Sequence, residues 1–195
     1  MVSGRFLLRA GGESMGGSKS DGGLAELLLI ITGTMGAGKT AVLAEASDIL
    51  AQRQIVHAAI DLDALGLAHL PPGVSSDRVL FNNLRSICGN YAALGVERLL
   101  LARAIEDHAQ LQLCRDIVPA RNTVVCRLTA SIGAMAQRVE LHELGISQRK
   151  YVARVAKLNA ILDRARLEDF AVTNENRSLT DVALEMLVEA GWISN

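Results

Sequence analysis

Five consecutive apolar residues, Leu27-Leu28-Leu29-Ile30-Ile31, lead through Thr32 into Gly33-Thr34-Met35-Gly36-Ala37-Gly38-Lys39-Thr40, and this junction constrains the fold more than any other stretch of the chain. An apolar run of that length reads as a strand buried on both faces. The stretch after it matches G-x-x-x-x-G-K-[ST] in full, and Val42, Leu43, Ala46, Ile49 and Leu50 then recur at helical spacing. A strand, a glycine-rich turn and a helix in that order let main-chain amides wrap a phosphate chain at the helix N-terminus. On this reading Gly33 through Thr40 and the following Ala41 contact a nucleotide. Lys39 reaches its β- and γ-phosphates, and the Thr40 hydroxyl holds Mg²⁺.

Downstream, short apolar runs alternate with longer segments of helical period. Strands are expected at Ile55–Ile60, Leu99–Ala102, Thr123–Leu128 and Phe170–Val172. Helices are expected after Ser76, around Asp107–Asp116 where the chain is helical or irregular, over Ser131–Glu143, over Ser147–Arg166 and over Thr180–Ala190. This alternation predicts an α/β fold, a three-layer α/β/α sandwich around a mainly parallel five-stranded sheet. The 195 residues, 50% of them hydrophobic, suffice for one domain with a substantial core. Residues 11–23 hold little but glycine, serine and charge, so residues 1–23 are expected to form a flexible tail and residues 24–195 the domain.

Composition removes several function classes. With 20 Lys and Arg against 21 Asp and Glu there is no cationic field to hold a polyphosphate backbone, and no nucleic-acid partner is expected. No apolar run approaches the roughly 20 residues that cross a bilayer, so no membrane partner is expected either. Cys88, Cys114 and Cys126 are odd in number and widely spaced, which suits a reducing, cytoplasmic setting rather than a disulfide or zinc framework.

Asp61-Leu62-Asp63 falls where the second strand ends. Ligands of open α/β sheets bind beyond the carboxyl ends of the strands, so two carboxylates there would face the terminal phosphate of the nucleotide. One, with Asp61 the metal candidate, would orient Mg²⁺, and either could accept a hydroxyl proton from an acceptor substrate. The competing reading is a strand ending in solvated aspartates. Arg127, inside an apolar strand, and Arg103, just after another, each read either as a contact to phosphate or acceptor or as a strand-end side chain reaching solvent.

The phosphate loop, followed about twenty residues later by a strand ending in Asp-x-Asp, resembles the small P-loop kinases. These include shikimate and gluconate kinases, adenylylsulfate kinase, chloramphenicol phosphotransferase and, more loosely, nucleoside monophosphate kinases. The resemblance runs from residue 27 to about 191, and only the phosphate loop is specific. It implies ATP and Mg²⁺ as cofactors, with Lys39 and Thr40 as phosphate and metal ligands and Asp61 or Asp63 as the hydroxyl-activating or substrate-holding carboxylate. It also implies a short helical lid near residues 131–145 carrying a catalytic arginine, for which Arg138 is the candidate; a second arginine often lies four residues on, where this chain has His142. After the last strand, Thr173-Asn174-Glu175-Asn176-Arg177 stands where such kinases pack adenine, so Arg177 would stack on the base and Asn174 would bond its edge. Ser178 and Asp181 equally form a helix-capping pattern.

The expected activity is transfer of the γ-phosphoryl group of ATP to a small-molecule acceptor. The alternative is a nucleotide-responsive module with little or no turnover, supported by His142 and by a third strand that ends in Ala102-Arg103 without an aspartate.

Overall fold

A computed structural model describes residues 25–142 and 148–194. The expected tail lies outside the described residues, as does the end of the expected lid. Strand β1 (Ala25–Thr32) and helix α1 (Lys39–Gln52) flank the glycine turn. There follow β2 (Ala58–Asp61), the single turn α2 (Leu62–Leu65), α3 (Ser76–Ala93), β3 (Arg98–Ala102), α4 (His108–Ile117) and β4 (Ala120–Thr129). The chain continues through α5 (Ile132–His142), α6 (Gln148–Ala165), β5 (Phe170–Thr173) and α7 (Leu179–Glu189). The strands form one sheet in the order β2-β3-β1-β4-β5, and all four pairings are parallel.

Alternation along the strands builds two apolar layers. On one face Leu29, Ile31, Leu100, Cys126, Leu128 and Val172 pack against α1, α5, α6 and α7. On the other, Leu28, Ile30, Ile60, Leu99, Leu101 and Val125 pack against α2, α3 and α4. Central β1 is therefore apolar on both sides, and each fully buried Leu or Ile contributes about 1.5–3 kcal/mol of transfer free energy. The result is the three-layer α/β/α sandwich that the sequence pattern predicts.

Boundaries moved where the backbone had other partners. The second strand starts at Ala58 rather than Ile55, because Gln54 turns into the left-handed region (φ 56°) and the Ile55 amide donates to Leu50 O, closing the end of α1. The third helix takes Ser75 rather than Ser76 as its cap. Strand β4 extends back to Ala120 because β1 pairs with it from Ala25 onward. The Asp107–Asp116 stretch is helical, with Asp107 accepting from the Gln110 amide. The three cysteines are free, and burial pushes their thiols up to about 11 for Cys88 and Cys114 and about 12 for Cys126. Among the described residues no helix is long and apolar enough to cross a membrane.

Candidate active site

The C-terminal ends of the strands form the rim on which the site stands, with the glycine turn at its centre. Helices α2, α3, α4 and α7 each begin with a side-chain cap, from Asp61, Ser75, Asp107 and Ser178. Helix α1 does not. Its cap is Gly38 in the left-handed region (φ 94°), with no side chain bonding the first-turn amides. Those amides have no side-chain partner, and the helix dipole favours an anion there.

The turn is clasped from outside. Asn174 Nδ2 donates to Ala37 O at 2.8 Å, and Arg138 donates from Nη1 to Gly36 O at 3.2 Å and from Nη2 to Asn174 O at 2.8 Å. Since C=O and N–H of one peptide point in opposite directions, holding Ala37 O outward turns the Gly38 N–H to the other side. The fit leaves no room for side chains at two glycines. A Cβ on Gly36 (φ 76°) would lie 2.2 Å from Met135 O, and one on Gly38 would lie 2.3 Å from Asn174 Nδ2. Thr34 ties the same turn to α6, its hydroxyl donating to Val155 O at 3.3 Å.

Lys39 Nζ donates to Thr34 O at 3.2 Å. Burial pulls its ammonium below the ordinary lysine range, and the negative charges of Asp63 and Asp61 oppose that shift. One residue on, the Thr40 hydroxyl donates to Asp61 Oδ2 at 2.6 Å. Asp61 Oδ1 accepts from the Asp63 amide at 3.0 Å, so both oxygens of Asp61 are engaged. Asp63 is exposed in the first turn of α2, and its carboxylate has no hydrogen-bond partner among the described residues. The two carboxylates thus stand in different surroundings, Asp61 bound to Thr40 and Asp63 exposed.

The donors of Thr40 and Asp61 suit Mg²⁺: both are hard oxygens, and both stand at the head of α1 where the phosphates of a nucleotide would lie. Among the described residues no group of three or more His, Cys, Asp and Glu side chains could hold a metal alone.

The remaining candidates are placed as follows. Arg138 lies on α5 but faces inward to the glycine turn, whereas His142 is exposed. Arg177 is folded along α7, donating to Thr173 O and Asp181 O and pairing with Glu185 at 2.6 Å. Glu175 accepts from both the amide and the hydroxyl of Ser131 at 2.7 Å, fixing the start of α5; the Ser131 amide, then its hydroxyl, hold the carboxyl below the ordinary range. Ser178 caps α7, its hydroxyl accepting from the Asp181 amide at 3.0 Å. Arg127 does neither thing the sequence allowed: it is buried and pairs with Asp163 at 2.6 Å and Glu168 at 3.4 Å, binding β4 to α6 and the loop that follows it.

Sequence reasoning missed Arg154. It lies on α6 and pairs with Glu106, 48 positions away in the loop after β3. Neighbouring bonds place that pair: Ile105 N donates to Thr32 Oγ1 at 3.0 Å, and Val155 O accepts from Thr34. The ion pair therefore stands beside the point where β1 enters the glycine turn. Only its position against the apolar stripe of α6 could have marked it in the sequence.

No family model matches the chain, and no curated protein matches it. Solved structures do. An APS kinase from Mycobacterium tuberculosis, solved with AMPPNP and APS, matches at 17% identity over 86% of this chain and 98% of its own, with a TM-score of 0.60. A gluconokinase from Sinorhizobium meliloti matches at 17% identity over 87% and 93%, TM-score 0.56. Shikimate kinase from Acinetobacter baumannii, solved with shikimate, matches at 14% identity over 86% and 93%, TM-score 0.55. At these identities the likeness is one of fold: the chain has the fold of the small P-loop kinases, as its resemblance to them implied.

Proposed function

We propose that this chain is an ATP-dependent kinase that moves the γ-phosphoryl group to a hydroxyl of a small-molecule acceptor. The observation that carries the reading is the division of labour at the end of β2: Asp61 is bound to the Thr40 hydroxyl, and Asp63, two residues on, keeps a free carboxylate in the open. A structure that only held nucleotide would need the first and not the second. Solved proteins of the same fold, with shikimate or with AMPPNP and APS bound, supply the precedent.

In this reading the amides at the head of α1 and the Lys39 ammonium bind the phosphate chain and neutralise charge on the β- and γ-oxygens. Thr40 and Asp61 hold Mg²⁺, which when bound supplies further charge neutralisation. Asp63 accepts the acceptor's hydroxyl proton as its oxygen bonds to phosphorus and the bond to the β-phosphate oxygen breaks. Arg138 and Asn174 keep the turn in shape from behind. The acceptor stands beyond β2, on the side of the sheet where α3 closes the rim.

Calorimetry with MgATP and a coupled ADP-release assay across hydroxylated metabolites test the proposal. Lys39→Met is expected to abolish tight nucleotide binding. Asp63→Asn is expected to leave nucleotide affinity within about twofold and lower acceptor-stimulated turnover by roughly 10²–10⁴, the usual contribution of a general base. Full turnover in Asp63→Asn would overturn the base assignment. Tight ATP binding with no acceptor-stimulated ADP release would favour a nucleotide-responsive module.

A further inference from the structure

The end of the sheet opposite the glycine turn holds a cavity of its own. Where β1 and β3 begin and the chain approaches β2, about 300 Å³ of open space is lined by Glu26, Ile55, Val56, Gly95, Glu97 and Arg98. That is room for large apolar side chains, since a cavity of about 150 Å³ already takes a benzene. Val56 in its wall is 66% exposed, and Leu94, next to Gly95, is 79% exposed. One exposed valine or leucine is ordinary, but two beside a single cavity make an apolar surface that invites a partner. Two carboxylates edge it. The Glu26 amide donates to Glu97 O at 2.8 Å, which sets the two residues side by side, and both side chains are exposed. Neither makes a salt bridge among the described residues, and Arg98 is the one cation in the lining, so the rim is acidic on balance.

We infer that this surface receives residues 5–9 of the same chain, Arg5-Phe6-Leu7-Leu8-Arg9, with Phe6 and the leucines against Ile55, Val56 and Leu94 and the two arginines on Glu26 and Glu97. The segment lies outside the described residues and is the longest apolar run in residues 1–24. Its order of cation, apolar core and cation complements an apolar floor edged by two acids. Its place in the chain fits as well. The described structure begins at Ala25, and the next residue, Glu26, already lines the cavity. The 16 residues from Ala10 to Ala25 include six glycines. A link of that length and composition has a root-mean-square span of about 20–24 Å and an extended reach of about 50 Å, so residues 5–9 can return to where the chain enters the sheet. The tether sets the effective concentration of the segment in the millimolar range, where contact by three apolar side chains suffices. The cavity stands at the N-terminal ends of the strands, and the inference is independent of the kinase reading.

The test uses the full chain with Phe6 replaced by the photo-reactive analogue benzoylphenylalanine, irradiated and mapped by peptide mass spectrometry. Cross-links within one chain to residues 54–57 or 94–98 are expected. Cross-links to the same residues between two chains, seen as a covalent dimer whose yield rises with concentration, would overturn the inference and make this face a contact between copies. Cross-links elsewhere, or none, would overturn it outright. In the same background Leu94→Lys, at an exposed position, should weaken docking roughly tenfold, the scale of one large apolar contact, read as lost cross-link yield. Arg5→Glu with Arg9→Glu should also lower the yield, and adding Glu26→Arg and Glu97→Arg should restore it. A segment that merely adheres to apolar surface would show no such rescue. Unchanged yield in Leu94→Lys, or no recovery in the fourfold variant, would overturn the inference; Leu94→Lys decides alone if the fourfold variant folds poorly.

Discussion

The two flanks of β1 are built differently. On the β4–β5 side, the glycine turn is fastened by Asn174 and Arg138, and the loop carrying Asn174 is itself fastened by Glu175 to Ser131. On the β2–β3 side, among the described residues, the Asp63 carboxylate has no hydrogen-bond partner, Arg103 has an unfilled donor, and its carboxylate partner Asp77 is solvated. A site that binds an invariant polyphosphate gains by being set in advance, because no ordering cost falls on binding. A site that must admit and release a second molecule keeps contacts that can be exchanged.

That contrast can be broken at several points. The largest effect is expected from Gly36→Ala, because a positive φ and a clash with the backbone at Met135 combine. Nucleotide binding should be lost in calorimetry, with stability lowered by roughly 2–4 kcal/mol in urea unfolding. Asn174→Ala should come next. It strips the Ala37 carbonyl of its partner, costing about 1–3 kcal/mol, and should raise the nucleotide Kd about tenfold while leaving acceptor affinity alone. Asp63→Asn should show the opposite split, sparing the nucleotide and stopping transfer.

The smallest effect should come from Glu175→Gln and should depend on pH. The carboxyl of Glu175 is held below its ordinary value of 4.5, so its contribution is complete above that value and is lost as the pH falls through the lowered folded value. Thermal midpoints measured from neutral to acid pH should therefore show wild type and variant converging at the acid end. Equal separation across the range would remove Glu175 from the fastening of the nucleotide flank.

How far the site was legible depended on how far apart its partners lie in the chain. The glycine turn, Lys39 and Thr40 are contiguous, and their motif is a direct record of backbone need. Asp61 and Asp63 were visible as a pair at a strand end, with Asp61 the metal candidate, but which carboxylate the α1 hydroxyl reaches was settled only by the fold. Arg138 was named from its place on α5 as a lid arginine; its contacts with Gly36 and Asn174 span 102 and 36 positions and leave no periodic trace. Arg154 and Arg103 were, for the same reason, indistinguishable from helix-surface and strand-end arginines. The missed start of β2 has a local cause, the left-handed Gln54 that lets α1 close on Ile55.

The order of strands and helices, the apolar centre of the sheet and the glycine turn were written in short-range pattern, because periodicity and glycine conformations act over a few residues. Which carbonyls are held outward, which aspartate is free and which arginine lacks an acceptor were decided only on folding. Those properties belong to pairs of distant side chains, and a parallel sheet brings its strand ends together only after every crossover is complete.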